Sequence, residues 1–234
     1  MMSVRTALQL GRVSNLPTVW TNVLAGMVLS GVAPSPTMVV SVGVATSLLY
    51  VAGTYLNDAF DHRWDAQNRA ERPIPMGEVD VRTVFVAGFA MMAAGLVILL
   101  VGPGGPRGFL PGVVLAGLIV LYDVSHQKNP LAPVIMGLCR VAVYVVAARA
   151  AAPTLSPPFY VGAAFLLTYL VMVTIIARGE TKSAERPRLV GRLIAGICIV
   201  DGLQILAVGS AWLAVSCAVG FVLTLRLQRR VAGT

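Results

Sequence analysis

The residues with chemical potential are gathered in one run, Asn57-Asp58-Ala59-Phe60-Asp61-His62-Arg63-Trp64-Asp65. If a helix continues through this run, its three aspartates fall at i, i+3 and i+7, within roughly 60° of one another. Carboxylates stacked on one stripe repel unless a cation lies between them. A hard divalent ion such as Mg²⁺ takes oxygen ligands and usually shares them with phosphate oxygens. Asn57, Asp58, Asp61 and Asp65 are therefore candidate metal ligands, and Arg63, Arg69 and Arg72 are near enough in sequence to meet phosphate. Arg72-Pro73-Ile74-Pro75 then closes the loop rigidly. The plainer alternative is a solvated helix extension whose acids pair with nearby arginines.

The elements that must position these residues belong to a membrane. An uncharged stretch from Thr37 to Leu56 precedes the run and is long enough to cross a bilayer. The 234 residues are 57% hydrophobic and 12% charged, against about 25% charged in soluble domains, so too little charge is present for a solvated skin. Apolar stretches at about 15–34, 37–56, 83–102, 109–123, 131–151, 159–177, 189–208 and 210–226 predict an all-α, polytopic transmembrane bundle. The count is about eight helices, and residues 1–234 read as a single domain. The first apolar stretch opens a series of similar ones and so reads as a retained span rather than a cleaved leader. Cys139, Cys198 and Cys217 lie inside apolar stretches without CxxC spacing, as core residues and not zinc ligands or disulfide partners.

Charge sets the topology. With eight spans, Arg5, Arg12, Arg63, Arg69, Arg72, Arg82, Lys128, Arg178, Lys182, Arg186, Arg188, Arg192, Arg226, Arg229 and Arg230 fall on one side. Only Arg107 and Arg149 fall near the other, and Arg140 lies within a span. The positive-inside rule then places both termini and the acidic loops in the cytoplasm, at an inner or plasma membrane. The net charge of +8 is thus explained by topology, and nucleic acid is not an expected partner. A weak internal echo supports two four-helix halves: Ala70-Glu71-Arg72-Pro73 recurs as Ala184-Glu185-Arg186-Pro187, and Asn15 and Asn129 share the same offset of 114 residues. Chance is a serious rival in so biased a composition.

Asn57-Asp58-Ala59-Phe60-Asp61-His62-Arg63-Trp64-Asp65, followed by Asn68 and Arg72-Pro73-Ile74-Pro75-Met76-Gly77, resembles the first signature of the UbiA superfamily of intramembrane prenyltransferases, NDxxDxxxD and then RPIPxG. Arg12 and Asn15 before the first span, and Tyr122 with Lys128 after the fourth, extend the resemblance. It implies nine helices where eight are counted here. It also implies a reaction, in which two acidic motifs and Mg²⁺ bind an isoprenyl diphosphate, the allylic C–O bond ionises, and the prenyl group passes to an acceptor. Metal and arginine would neutralise the departing diphosphate. Within this reading Lys128 faces the diphosphate, Asp123 orients it or acts as a base on the acceptor, and Tyr144 offers a π face to the allylic cation or simply packs.

The second motif departs from the family, whose members usually carry a DxxxD-type pair after the sixth helix. Here that loop reads Arg178-Gly179-Glu180-Thr181-Lys182-Ser183-Ala184-Glu185. Glu180 and Glu185 are roughly 140° apart on a helix, so both reach the site only if Gly179 breaks it. Otherwise Glu180 contributes beside Arg178 and Lys182. Within the membrane Arg140 and Asp201 are costly alone: either they pair structurally, or Arg140 lines the cavity and meets substrate. Two rival classes stay open, a membrane transporter using Arg140 and Asp201, and a family member that binds prenyl lipid without turnover. The concentration of polar groups at one surface favours the enzyme, because transporters place such groups near the midplane.

Overall fold

A computed structural model of the protein describes residues 2–178 and 186–231, and all regular structure among them is helical. In chain order the helices are α1 (Val4–Leu10), α2 (Leu16–Leu29, entered through a 3₁₀ turn at Val13–Asn15), α3 (Pro36–Phe60), α4 (His62–Asn68), α5 (Val81–Val101), α6 (Pro106–Ser125), α7 (Ala132–Ala151), α8 (Pro157–Arg178), α9 (Arg186–Ala207) and α10 (Ala211–Gln228). Eight of these are long, matching the expected apolar stretches, and seven have the length and hydropathy to cross a membrane. The protein is an integral membrane bundle.

The first stretch differs from its expected bounds of 15–34. Helix α2 stops at Leu29, where the Ser30 hydroxyl donates to the Met27 carbonyl and Gly31 turns left-handed at φ 82°. Its 14 residues and the 3₁₀ turn before it span roughly 27 Å. That is a little short of the roughly 30 Å hydrocarbon core. Lipid scarcely touches it, since all of α2 except Leu16, Trp20 and Leu24 is buried.

Successive long helices run antiparallel, as contacts at the two ends show. At one end Arg12 meets Asp58, Asn57 meets Asp123, and Gln228 donates to both Asn15 and the Gly191 carbonyl. At the other, Ser156 donates to the Leu29 carbonyl. Two apolar cores lie side by side. One joins α2, α3, α5, α6 and α7 around Val23, Leu49 and Val146, and the other joins α2, α7, α8, α9 and α10 around Ala25, Leu166 and Ile197. Helices α2 and α7 belong to both. The three cysteines are free thiols.

Small residues let the two central helices approach. A Cβ added at Gly26 would lie 2.7 Å from the Tyr144 carbonyl oxygen and 3.0 Å from its Cα, so backbone rather than a movable side chain blocks it. Close approach through small residues is how membrane helices gain packing energy. Gly26→Ala should therefore destabilise the bundle by about 1–3 kcal/mol, read as a lower thermal midpoint in detergent. Gly117→Ala in α6, where the new methyl meets nothing within 4 Å, should be neutral or slightly stabilising.

Candidate active site

The acidic run sits where α3 gives way to α4. The backbone stays right-handed at Asp61 (φ −80°, ψ −5°) but the helical ladder is interrupted there, with Asp61 N–H donating to the Asn57 carbonyl as the last bond of α3 and Asp65 N–H to the Asp61 carbonyl as the first of α4. The three aspartates still share one face and are all buried, Asp65 to 1% exposure. Arg63 does not share that face. It lies two residues, about 200°, past Asp61, is exposed, and forms no ion pair among the described residues.

Two other arginines pair with part of the cluster. Asp58 Oδ1 accepts from Arg12 Nη2 at 3.0 Å and from Arg72 Nη1 at 2.8 Å, and Arg72 Nη1 also reaches Asp65 Oδ2 at 3.1 Å. Each arginine is aimed by a special backbone. Arg12 adopts φ 42°, ψ 43°, a left-handed conformation that costs a non-glycine residue energy and persists only where the surroundings enforce it. Arg72 starts a run of tight turns in which Met76, Gly77 and Glu78 N–H groups donate to Arg72, Ile74 and Pro73 carbonyls, with Gly77 at φ 74°. Helix α1 ties this loop down, because Thr6 donates to Glu78 Oε2 at 2.7 Å and Tyr55 donates to the Ala7 carbonyl at 3.1 Å.

The end of α6 closes the other side. Asn57 Nδ2 donates to Asp123 Oδ1 at 3.3 Å, and Asp61 accepts from Gln127 Nε2 at 2.5 Å and pairs with His126 Nε2 at 3.2 Å. His126 also stacks on Tyr122, with centroids 4.9 Å apart. Lys128, in the same turn, is exposed and forms no ion pair among the described residues. Gln127 received no role from the sequence, and its only signal was membership of an unusually polar turn. Glu180, Lys182 and Glu185 lie outside the described residues, as does the side chain of Arg178.

Electrostatics show what the cluster lacks. Burial pushes the Asp65 carboxyl above the usual range, and Asp58 and Asp61 add to the shift against the pull of Arg72. Burial works against the charge on His126, but Asp61 outweighs it and raises the imidazole. Burial likewise opposes the charge on Arg12, and Asp58 with Tyr50 and Tyr122 more than restores it. Asp65 Oδ1 and Asp123 Oδ2 are buried without a hydrogen-bond partner. Orphaned carboxylate oxygens in an all-oxygen donor set suit a hard cation. No three acidic, imidazole or thiol groups among the described residues gather closely enough to hold one alone. An ion held there would need further oxygens, such as Mg²⁺ takes from phosphate.

Deeper in the bundle, Asn15 donates to Tyr50 at 3.3 Å and Arg140 lies 5.1 Å over the Tyr50 ring. Arg140 and Asp201 do not pair directly. Arg140 donates to Asn22 Oδ1 at 3.1 Å, and Asn22 Nδ2 donates to Asp201 at 2.9 and 3.1 Å. Tyr144, fully buried, donates a hydrogen bond from its hydroxyl to Asp201 and packs against Phe159. Its hydroxyl is thereby a donor within the core.

A model described as the UbiA prenyltransferase family matches residues 18–231. A digeranylgeranylglyceryl phosphate synthase from Sulfolobus acidocaldarius is 28% identical over 131 residues, 56% of this chain and 46% of the relative. Another, from Thermococcus gammatolerans, is 37% identical over 78 residues, 33% of this chain and 28% of the relative. The matched part thus spans less than half of these curated relatives. A solved digeranylgeranylglyceryl phosphate synthase superimposes with a TM-score of 0.65 at 20% identity, covering 97% of this chain and 88% of that one. A UbiA homolog from Archaeoglobus fulgidus bound to GPP and Mg²⁺ gives 0.64 at 15% identity, covering 96% and 86%. These likenesses show a shared fold.

Replacing Arg72 by methionine should leave Asp58 and Asp65 short of a counter-charge and cost roughly 3 kcal/mol, as breaking a buried pair does. The thermal midpoint measured in EDTA should drop and be partly restored by millimolar Mg²⁺. Lys128→Met should change neither reading.

Proposed function

The chain belongs to the UbiA prenyltransferase family, and from that membership we propose that it transfers a prenyl group from an isoprenyl diphosphate to a small acceptor. The observation that carries this reading is the buried acidic cluster at one end of an apolar bundle, incompletely neutralised and holding two unpartnered carboxylate oxygens. Asn57, Asp58, Asp61 and Asp65 would hold Mg²⁺. Bound there with the diphosphate, the ion supplies positive charge against the leaving group as the allylic C–O bond breaks. Arg12 and Arg72 add fixed positive charge at the same place, and Asn15, Tyr122 and Lys128 complete the polar rim. Asp123, beside Asn57 and capped by no other donor on Oδ2, takes the proton that the acceptor hydroxyl loses. Glu180, with Glu185, Arg178 and Lys182, would supply the second acidic motif in this reading. The apolar helices keep water from the allylic cation.

Residues 1–234 act as one catalytic domain, with the acidic end and both termini in the cytoplasm, as the segregation of arginines supports. The relatives named above are digeranylgeranylglyceryl phosphate synthases, which makes a mono-prenylated glyceryl phosphate the first acceptor to try.

Membranes carrying the chain are incubated with Mg²⁺, prenyl diphosphates of several lengths and an acceptor panel that adds a quinol and an aromatic acid, and products are read by mass spectrometry. Asp61→Ala should reduce diphosphate release by about 100-fold or more. Undiminished release in that variant would reject the clamp. Prenyl diphosphate binding with no release in the parent would identify a non-catalytic lipid-binding protein instead.

A further inference from the structure

The end of the bundle away from the acids is almost free of charge. Its loops, at 30–35, 102–105, 152–156 and 208–210, contain no charged residue, and the helical turns beside them contain two, Arg107 and Arg149. These two arginines are 42 residues apart on different helices, yet both line one groove of about 420 Å³ between α6 and α7. Neither forms an ion pair among the described residues, and Arg149 gives a hydrogen bond to the Pro153 carbonyl. Below the arginines the groove is apolar, walled by Leu110, Pro111 and Val114 from α6 and by Ala142 and Val145 from α7. Leu110 is 64% and Val114 60% exposed, so this wall faces the lipid phase. Pro111 stands inside α6 and has no N–H to give the Arg107 carbonyl, which loosens the helix there.

An occupant must satisfy both parts. It must carry negative charge at the level of the helix ends and an aliphatic chain below it, and it must reach the groove sideways from the bilayer. We propose that this groove binds one anionic phospholipid of the leaflet opposite the acidic site, with its phosphate between Arg107 and Arg149 and an acyl chain along Leu110, Val114 and Val145. Basic pockets between membrane helices hold anionic headgroups through contacts worth about 1 kcal/mol for each arginine. The lipid wedges α6 against α7, the pair that also carries Asp123 and Arg140, and so braces the bundle from the side remote from the chemistry. Orientation in the membrane decides which leaflet supplies it, but not the chemistry that selects it.

The test uses the full chain in nanodiscs of equal phosphatidylglycerol and phosphatidylcholine, transferred to detergent and read by native mass spectrometry. The parent should retain one phosphatidylglycerol in preference to phosphatidylcholine. Arg107→Gln with Arg149→Gln should reduce that preference by about 30-fold, while circular dichroism and Mg²⁺-dependent diphosphate release stay as in the parent. Val114→Trp keeps both charges but fills the groove, and it should also lower retention, which preserves the test if the double variant does not fold. Equal retention of the two lipids by the parent, or an unchanged preference in the double variant, would overturn the proposal. So would an equal loss in Arg229→Gln with Arg230→Gln, because that result would trace the preference to general surface charge at the other end.

Discussion

The Asp58 carboxylate is the junction on which the polar end of this protein depends. One of its oxygens accepts from Arg12, which enters α2, and from Arg72, which belongs to the loop before α5. Two segments, one before α2 and one before α5, are thereby fixed to the end of α3. The interaction is charge-assisted and nearly shielded from water, so losing one partner strands charge where solvent cannot compensate. That explains why a left-handed Arg12 and a glycine-dependent turn at Gly77 are tolerated beside it. Both are local costs that the junction offsets.

The same logic runs inward. A bilayer offers no water to buried polar groups, so each must be answered by protein. Asn15, Tyr50, Arg140, Asn22, Asp201 and Tyr144 are linked by hydrogen bonds and a ring contact from the acidic end to the middle of the bundle. Since α2 and the 3₁₀ turn leading into it contribute Asn22 and Asn15, this is where both apolar cores and the polar chain coincide. This polar chain thus runs along the long helix most protected from lipid.

Much of this was legible in the sequence, for identifiable reasons. Apolar run length located the long helices, and arginine segregation predicted which helix ends lie together, because both follow from solvation alone. Local spacing placed Asp58, Asp61 and Asp65 on one face despite the break at Asp61, which no glycine or proline announces. Adjacency misled at Arg63, where helical rotation turns the side chain away. It also misled at α2, whose early stop is set by Ser30 and Gly31 inside a stretch that remains apolar to residue 34. Partners far apart in sequence were the least accessible. Gln127 meets Asp61 across 66 residues, and Asn22 stands between Arg140 and Asp201 although a direct pair was the simpler expectation. A neutral amide carries no charge pattern to betray such a role.

The position of Asn22 has a consequence for how the protein is made. Asn22 and the Asp201 that it serves are separated by 179 residues, so α2 leaves the ribosome long before its main polar partner exists. A short helix with an unanswered amide is a poor candidate for stable insertion by itself. Both partners of Asn22, Arg140 in α7 and Asp201 in α9, are synthesised only after most of the bundle.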